Sequence, residues 1–191
     1  MNVLFEKFPE SVHVDGRDYR IVTDFREWIK LQMLLENTER FTPWIVEMLL
    51  EWYIDVPPRN LKGAIEALCG FLSAEELYGE EAKAEGFGTA GVSKEVFSFE
   101  QDATCIYCAF RSVYQIDLET VPYLHWWKFL LLFGGLPADT EIQERIYYRG
   151  VDLNQIKSKE ERKRVKEIKK RIALKRREKR KMDDYQIGAM F

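Results

Sequence analysis

The sequence is poor in residues that staple, break or anchor a chain. Its 191 residues include three cysteines, six prolines and two histidines. Cys69, Cys105 and Cys108 are too few, and odd in number, for a disulfide framework, and they suit a reducing compartment. Six prolines and 11 glycines argue against a low-complexity chain. The apolar run that a membrane-spanning helix requires, about 20 residues, is missing, and Phe129–Phe133 falls far short of it. The opening MNVLFEKFPESV has no basic stretch followed by a long apolar one, so no secretory signal peptide is expected.

What is present is aromatic and charged. Apolar residues make up 46%, with 12 Phe, 9 Tyr and 5 Trp, enough to bury a core and to exclude wholesale disorder. The net charge of −3 hides an asymmetry. From Lys157 to Lys181 there are 15 basic and 4 acidic residues, a net of +11. The 156 residues before them carry 14 basic and 26 acidic ones, a net of −12. Such a division suggests an interaction segment attached to an acidic body.

The patterning is mainly helical. Val12–Val14 and Tyr19–Val22 flank Asp15-Gly16, which predicts a small β-hairpin leaning on helices. Thr23 or Asp24 can cap a first helix, with Asp24 and Glu27 spaced as a capping box and Phe25, Trp28, Leu31 and Leu35 inward. Thr42 then Pro43 opens a second helix, with Ile45, Met48, Leu49 and Trp52 inward, ended by Pro57-Pro58. A third is expected from about Asn60 to Leu72, with Leu61, Ile65, Leu68 and Phe71 or Leu72 inward. Residues 75–97 read as an acidic, then glycine-rich, surface linker. Ser98 and Gln101 are spaced as another capping box, before a helix burying Phe99, Ala103, Ile106, Phe110 and Val113. Thr120 and Pro122 open the next, and its Tyr123–Phe133 stretch, apolar nearly all round, should be the most buried. Gly134-Gly135 ends it. A shorter helix from Asp139 or Thr140 to about Gly150 follows. Ser158 and Glu161 begin the last helix, expected to reach Lys181, about 36 Å at 1.5 Å per residue. Its stripe of Val165, Ile168 and Ile172, with Leu174 nearby, is lost beyond Leu174. The first half should therefore dock and the second project.

Several motifs invite a chemical reading. Cys105-Ile-Tyr-Cys108 is a C-x-x-C, but it lies inside an amphipathic helix, where two cysteines are more simply small apolar residues. A structural zinc site would need four ligands, and Cys69, His13 and His125 supply no second paired motif. Gly86-Phe-Gly88-Thr-Ala-Gly91 matches G-x-G-x-x-G, yet no hydrophobic strand precedes it and no long helix follows. His125, beside Trp126 and Trp127, reads as a packed, hydrogen-bonded core histidine. Glu100 and Asp102 read as complements to a helix N-terminus. No nucleophile–base or metal constellation emerges, so neither catalysis nor a cofactor is expected. The basic segment admits three readings: a solvated face, docking to an acidic protein, or phosphate contacts with nucleic acid. Its lack of aromatics argues against stacking on bases. Interspersed Glu160, Glu161, Glu167 and Glu178 favour a protein partner.

Three stretches carry a wider likeness: VDGRDYRIVTDFREWIKL (Val14–Leu31), SFEQDATCIYCAFRSVYQIDL (Ser98–Leu118, preceded by Phe97) and VPYLHWWKFLLLFGGLP (Val121–Pro137). RGVDL (Arg149–Leu153) followed by a Lys/Arg-rich tail continues the series. Together they resemble the bacteriophage gene-product-fifteen family, over nearly the whole chain and in order. The glycine-rich stretch departs from the family's short, variable linker. Cys105 and Cys108 stand where small or apolar residues are expected. The resemblance implies a tail protein encoded near the tape-measure gene, with LHWWKF as a fold signature and no catalytic residues to transfer.

The expectation is thus a mainly α protein: a helical bundle with a small N-terminal β-hairpin and a long basic C-terminal helix. Residues 1–74 hold the hairpin and first helices, and 75–97 the linker. Residues 98–156 form a helical core of the same domain, and 157–191 the basic helix and tail. The resemblance implies a non-enzymatic tail-assembly protein in the cytoplasm of the bacterial host, a chaperone for the tape-measure protein. The alternatives are a structural part of the mature tail and a nucleic-acid-binding accessory protein. Phage tail proteins are the expected partners, with self-association possible, nucleic acid secondary and no membrane. The candidate partner-binding residues are Lys163, Arg164, Lys170, Arg171, Lys175, Arg176, Arg177, Lys179, Arg180 and Lys181.

Overall fold

A computed structural model describes residues 1–37, 42–78 and 96–175. Among these the chain forms one two-stranded sheet and eight α-helices. Strands β1 (Ser11–Val14) and β2 (Arg17–Arg20) pair antiparallel. Asp15 and Gly16 both take positive φ, 48° and 79°, the two-residue turn that matches strand twist. Helices α1 (Phe25–Asn37), α2 (Pro43–Leu50), α3 (Leu61–Leu72) and α4 (Glu75–Tyr78) follow. Then come α5 (Ala103–Ala109), running into a π-turn at Phe110–Tyr114, α6 (Trp126–Gly134), α7 (Glu141–Gly150) and α8 (Lys159–Arg171). The expected mainly helical fold with an N-terminal hairpin is what the structure shows.

The described residues gather into two compact units. One takes residues 1–37, 42–78 and 123–131; the other takes 96–122 and 132–175.

The first unit is aromatic at its centre. Trp28, Trp126, Trp127 and Phe129 are almost wholly buried. Phe25 stacks on Phe129 at 4.9 Å, and Phe71 on Trp127 at 4.9 Å. The cap expected at Thr42-Pro43 forms, with Thr42 Oγ1 accepting the Ile45 amide, and Asn60 caps α3 through the Gly63 amide at 3.0 Å. Tyr53 donates its hydroxyl to Ala64 O at 2.8 Å, and burial pushes that phenol up to about 12.

Three expectations are corrected here. Helix α3 turns Ala64, Leu68, Phe71 and Leu72 inward, while Leu61 is exposed and Ile65 half-buried. The reason is close approach to β1: a Cβ on Gly63 would lie 3.1 Å from Val14, so the small-residue face of α3 meets the strand. In α1 it is Leu34, not Leu35, that completes the buried row. The stretch Tyr123–His125 is not helical. Its backbone bridges the segment before α1, with Phe25 N–H donating to Leu124 O and Trp126 N–H to Thr23 O. Those long-range bonds occupy groups that a helix starting at Pro122 would have needed.

In the second unit Phe99, Ile106, Phe110, Phe133 and Ile142 are buried. Ala103 is exposed and Val113 half-buried, contrary to their expected inward positions. The helix begins only at Ala103, which lies in its exposed first turn, and the π-turn rotates the face at Val113 before Gln115 at φ 57° ends the helix. Phe97, placed in the linker by sequence, packs against Phe99 and Phe133. The short helix α4 opens the same stretch, whose residues 79–95 lie outside the described ones, as does Gly86-x-Gly88-x-x-Gly91.

Candidate functional site

The basic helix α8 starts as expected: Ser158 Oγ accepts the Glu161 amide at 3.3 Å. Val165 is its buried residue, with Ile168 half-buried, and the helix packs against α7. Lys163, Arg164, Lys170 and Arg171 are all exposed. Positions seven apart return to nearly the same angle on a helix, so these four form one stripe two turns long, turned away from Val165, with Glu167 between them. Two neighbouring cations are consumed internally. Arg162 donates to Ile156 O at 2.7 Å, and Lys169 to Val151 O.

The helix ends at Arg171, which corrects the expectation of a continuous helix to Lys181. Two outside residues take over the backbone beyond it. Arg149 Nε donates to Ile172 O at 2.7 Å. Gln101 grips Lys175 at both ends: the Lys175 amide donates to Oε1 at 2.8 Å, and Nε2 donates to the Lys175 carbonyl at 3.1 Å. In a continuing helix that amide would bond to Arg171 O and the Ile172 carbonyl would accept from residue 176. Residues 172–175 are thus held rather than projecting as helix, and the Lys175 side chain is exposed. Arg176, Arg177, Lys179, Arg180 and Lys181 lie outside the described residues.

The grip depends on a buried charge cluster that sequence reading missed. Asp102 has no exposed surface. Its Oδ2 accepts from Arg149 Nη1 at 2.6 Å, its Oδ1 from Arg149 Nη2 at 3.0 Å and from Arg145 Nη1 at 3.0 Å. The Ser98 amide donates to Oδ2 at 3.1 Å. Arg149 also donates to Val96 O at 3.0 Å. Burial alone would push the Asp102 carboxyl up, but the Arg149, Ser98 and Arg145 hydrogen bonds outweigh it and hold the group below the usual carboxylate value. The expected Ser98–Gln101 capping box is therefore rearranged. Ser98 Oγ does accept the Gln101 amide at 3.3 Å. The return bond comes from Asp102, which frees the Gln101 side chain for Lys175. The one sequence signal for the cluster was Arg145 and Arg149 spaced i, i+4 on α7.

The other candidates have structural surroundings. Cys105 is buried and Cys108 exposed, and burial with a Glu141 hydrogen bond pushes the Cys105 thiol up, away from a reactive thiolate. Among the described residues no group of three His, Cys, Asp or Glu is placed to hold a metal ion, and no helix is long and apolar enough to cross a membrane.

His125 is buried, as expected, with both ring nitrogens engaged. Nδ1 accepts the Trp127 amide at 3.1 Å, which leaves Nε2 to carry the proton donated to Pro9 O at 3.0 Å. Burial lowers its pKa below the ordinary 6.5. A folded-state pKa below the unfolded one means stability that is full above that ordinary value and lost as pH falls through the folded one. The melting temperature should accordingly drop below about pH 6.5. His125→Gln should flatten that acid-side slope. An unchanged slope in His125→Gln would show that other groups set it.

The features above define a class: a mainly helical protein that presents a cationic stripe on a docked basic helix. The family described as Bacteriophage Gp15 protein matches residues 4–174, and the chain belongs to that family. The matched region takes in the whole of α8. Comparisons with curated proteins and with solved structures found no match.

Proposed function

We propose that this chain is a non-enzymatic tail-assembly protein that acts in the host cytoplasm as a chaperone for the tape-measure protein. Membership of a bacteriophage family supports the phage setting. The observation that carries the rest is the α8 stripe: Lys163, Arg164, Lys170 and Arg171 face solvent on a helix whose end is held by Arg149 and Gln101. Ordered cations on a fixed platform lose less side-chain freedom on binding than cations on a loose tail. A long helical client with acidic and apolar stretches would meet that stripe by charge complementarity, weakly enough to be released as the tube closes. The non-enzymatic reading is supported by how the chemical candidates are engaged: Asp102 to two arginines, His125 through both nitrogens, Cys105 by burial.

The test is co-purification with tape-measure fragments across a salt series. Reversing the four stripe charges to glutamate should weaken capture at least tenfold at about 0.1 M salt, and deleting Lys175–Lys181 should weaken it further. Capture that survives about 1 M salt and both changes would sink the mechanism. Mass spectrometry of purified virions separates the alternatives: a chaperone is absent, a structural part present at fixed copy number. Nuclease-sensitive capture with a steep salt slope would instead favour nucleic acid.

A further inference from the structure

The hairpin has one covered edge and one open edge. On the β2 side, Ile54 N–H donates to Arg20 O at 3.0 Å, Val22 N–H donates to Trp52 O at 2.9 Å, and Ile21 bridges Tyr53. On the β1 side nothing comparable occurs among the described residues. The register assigns the groups: Ile21 N–H donates to Glu10 O, and bonded pairs alternate along an antiparallel ladder. Val12 with Tyr19 and Val14 with Arg17 are therefore the bonded pairs. The amides and carbonyls of Ser11 and His13 point outward.

Along that edge runs a groove of about 470 Å³ between β1 and α3. No β2 residue lines it, which places it on the outer side of β1. It is closed at one end, where Asn60 Nδ2 donates to Asp15 Oδ1 at 3.1 Å. At Gly70 a Cβ would stand 3.6 Å from Glu75 Oε2, in ordinary contact with the acidic lining. Phe71 and Trp127 border it but are almost wholly buried, and Glu66, Glu75 and Glu76 are exposed on its lining, with no lysine or arginine among the described lining residues. Lys62 reaches Glu66 at 3.7 Å, both side chains largely exposed.

We infer that this edge is a docking site for an extended, lysine- or arginine-bearing segment of a partner protein, added as a third strand beside β1. Ser11 and His13 would supply two donors and two acceptors to its backbone. The acidic lining would take its alternate basic side chains, and the small residues Ala67 and Gly70 leave room above α3. A strand with acidic side chains would be repelled. The inference does not use α8 and stands apart from the chaperone reading.

Fluorescence anisotropy on the full chain tests it, with the labelled peptide TKVKVKT and its acidic counterpart TEVEVET. The basic peptide should bind and the acidic one should not. Methylating alternate backbone nitrogens of the peptide on one edge should weaken binding at least tenfold, and on the other edge leave it unchanged. Reversing Glu66, Glu75 and Glu76 to lysine should also weaken it at least tenfold. His13→Pro should abolish it while the protein still melts cooperatively, because that amide makes no bond within the hairpin. The methylated peptides keep the test valid if this variant does not fold. Equal binding of both methylated peptides, or binding unaffected by His13→Pro, would overturn strand addition in favour of charge alone. No peptide binding, with a dimer in sedimentation that His13→Pro dissolves, would assign the edge to a second copy and overturn the partner proposal.

Discussion

Replacing Asp102 with alanine is expected to destabilise the protein by about 3–5 kcal/mol, the usual cost of removing one member of a buried ion pair. The carboxylate has no exposed surface and accepts from Arg149, Arg145 and the Ser98 amide. Its loss strands the nearly buried Arg149 guanidinium, whose other acceptors among the described residues are the Val96 and Ile172 carbonyls. Asp102→Asn should cost nearly as much, since the amide keeps the shape but not the charge. Urea unfolding of Asp102→Ala, Arg149→Met and the double variant checks this, with a double-variant cost well below the sum of the singles. Additive costs would show that the two residues do not act as a pair. A second readout is local. With Arg149 gone, the Ile172 carbonyl loses its donor, and trypsin should cut after Arg171 and Lys175 faster than global unfolding explains. The acid limb follows the same sign: because the folded Asp102 pKa is lowered, its contribution is full above the ordinary carboxylate value of about 4 and disappears as pH falls through the folded one.

Trp126 and Trp127 carry the second large effect. Each is 1% exposed, and each indole caps the end of α3. Trp126 Nε1 donates to Leu72 O at 2.9 Å and Trp127 Nε1 to Phe71 O at 2.8 Å. The last carbonyls of a helix have no partner within it, so here tertiary packing supplies one. Truncation to alanine should cost about 3–5 kcal/mol through cavity and lost burial. Phenylalanine separates the two contributions. Trp126→Phe keeps most of the ring but leaves the Leu72 carbonyl short of its donor, at about 1–3 kcal/mol. Trp127→Phe should cost less, because the Phe71 carbonyl also accepts the Ala74 amide at 3.1 Å. Equal unfolding midpoints for both phenylalanine variants and the parent would show that the indole N–H groups contribute nothing.

The LHWWKF stretch illustrates what sequence reading can reach. Its aromaticity announced a buried element, and Trp126, Trp127, Phe129 and Leu130 are buried. It did not announce that helix α6 begins only at Trp126, or that two of its indoles end another helix 54 and 56 residues away. Similarly, Glu100 and Asp102 looked alike in sequence. Glu100 is exposed and Asp102 has no exposed surface, because two arginines of α7 converge on one of them.

What the sequence by itself determined is local. The Asp15-Gly16 turn, the caps at Thr42, Asn60 and Ser158, and the 3.6-residue phase of the stripe on α8 each depend on residues within about two turns of one another. Tertiary structure decided where those local tendencies stop. Helix α8 carries good helix formers through Lys181, yet it ends at Arg171, because Arg149 and Gln101, 23 and 74 residues away, bond the backbone groups that the next turn would use. A single hydrogen bond contributes about 1 kcal/mol whether its partner is near or far in sequence. The folded surroundings, which no local window contains, therefore choose between them.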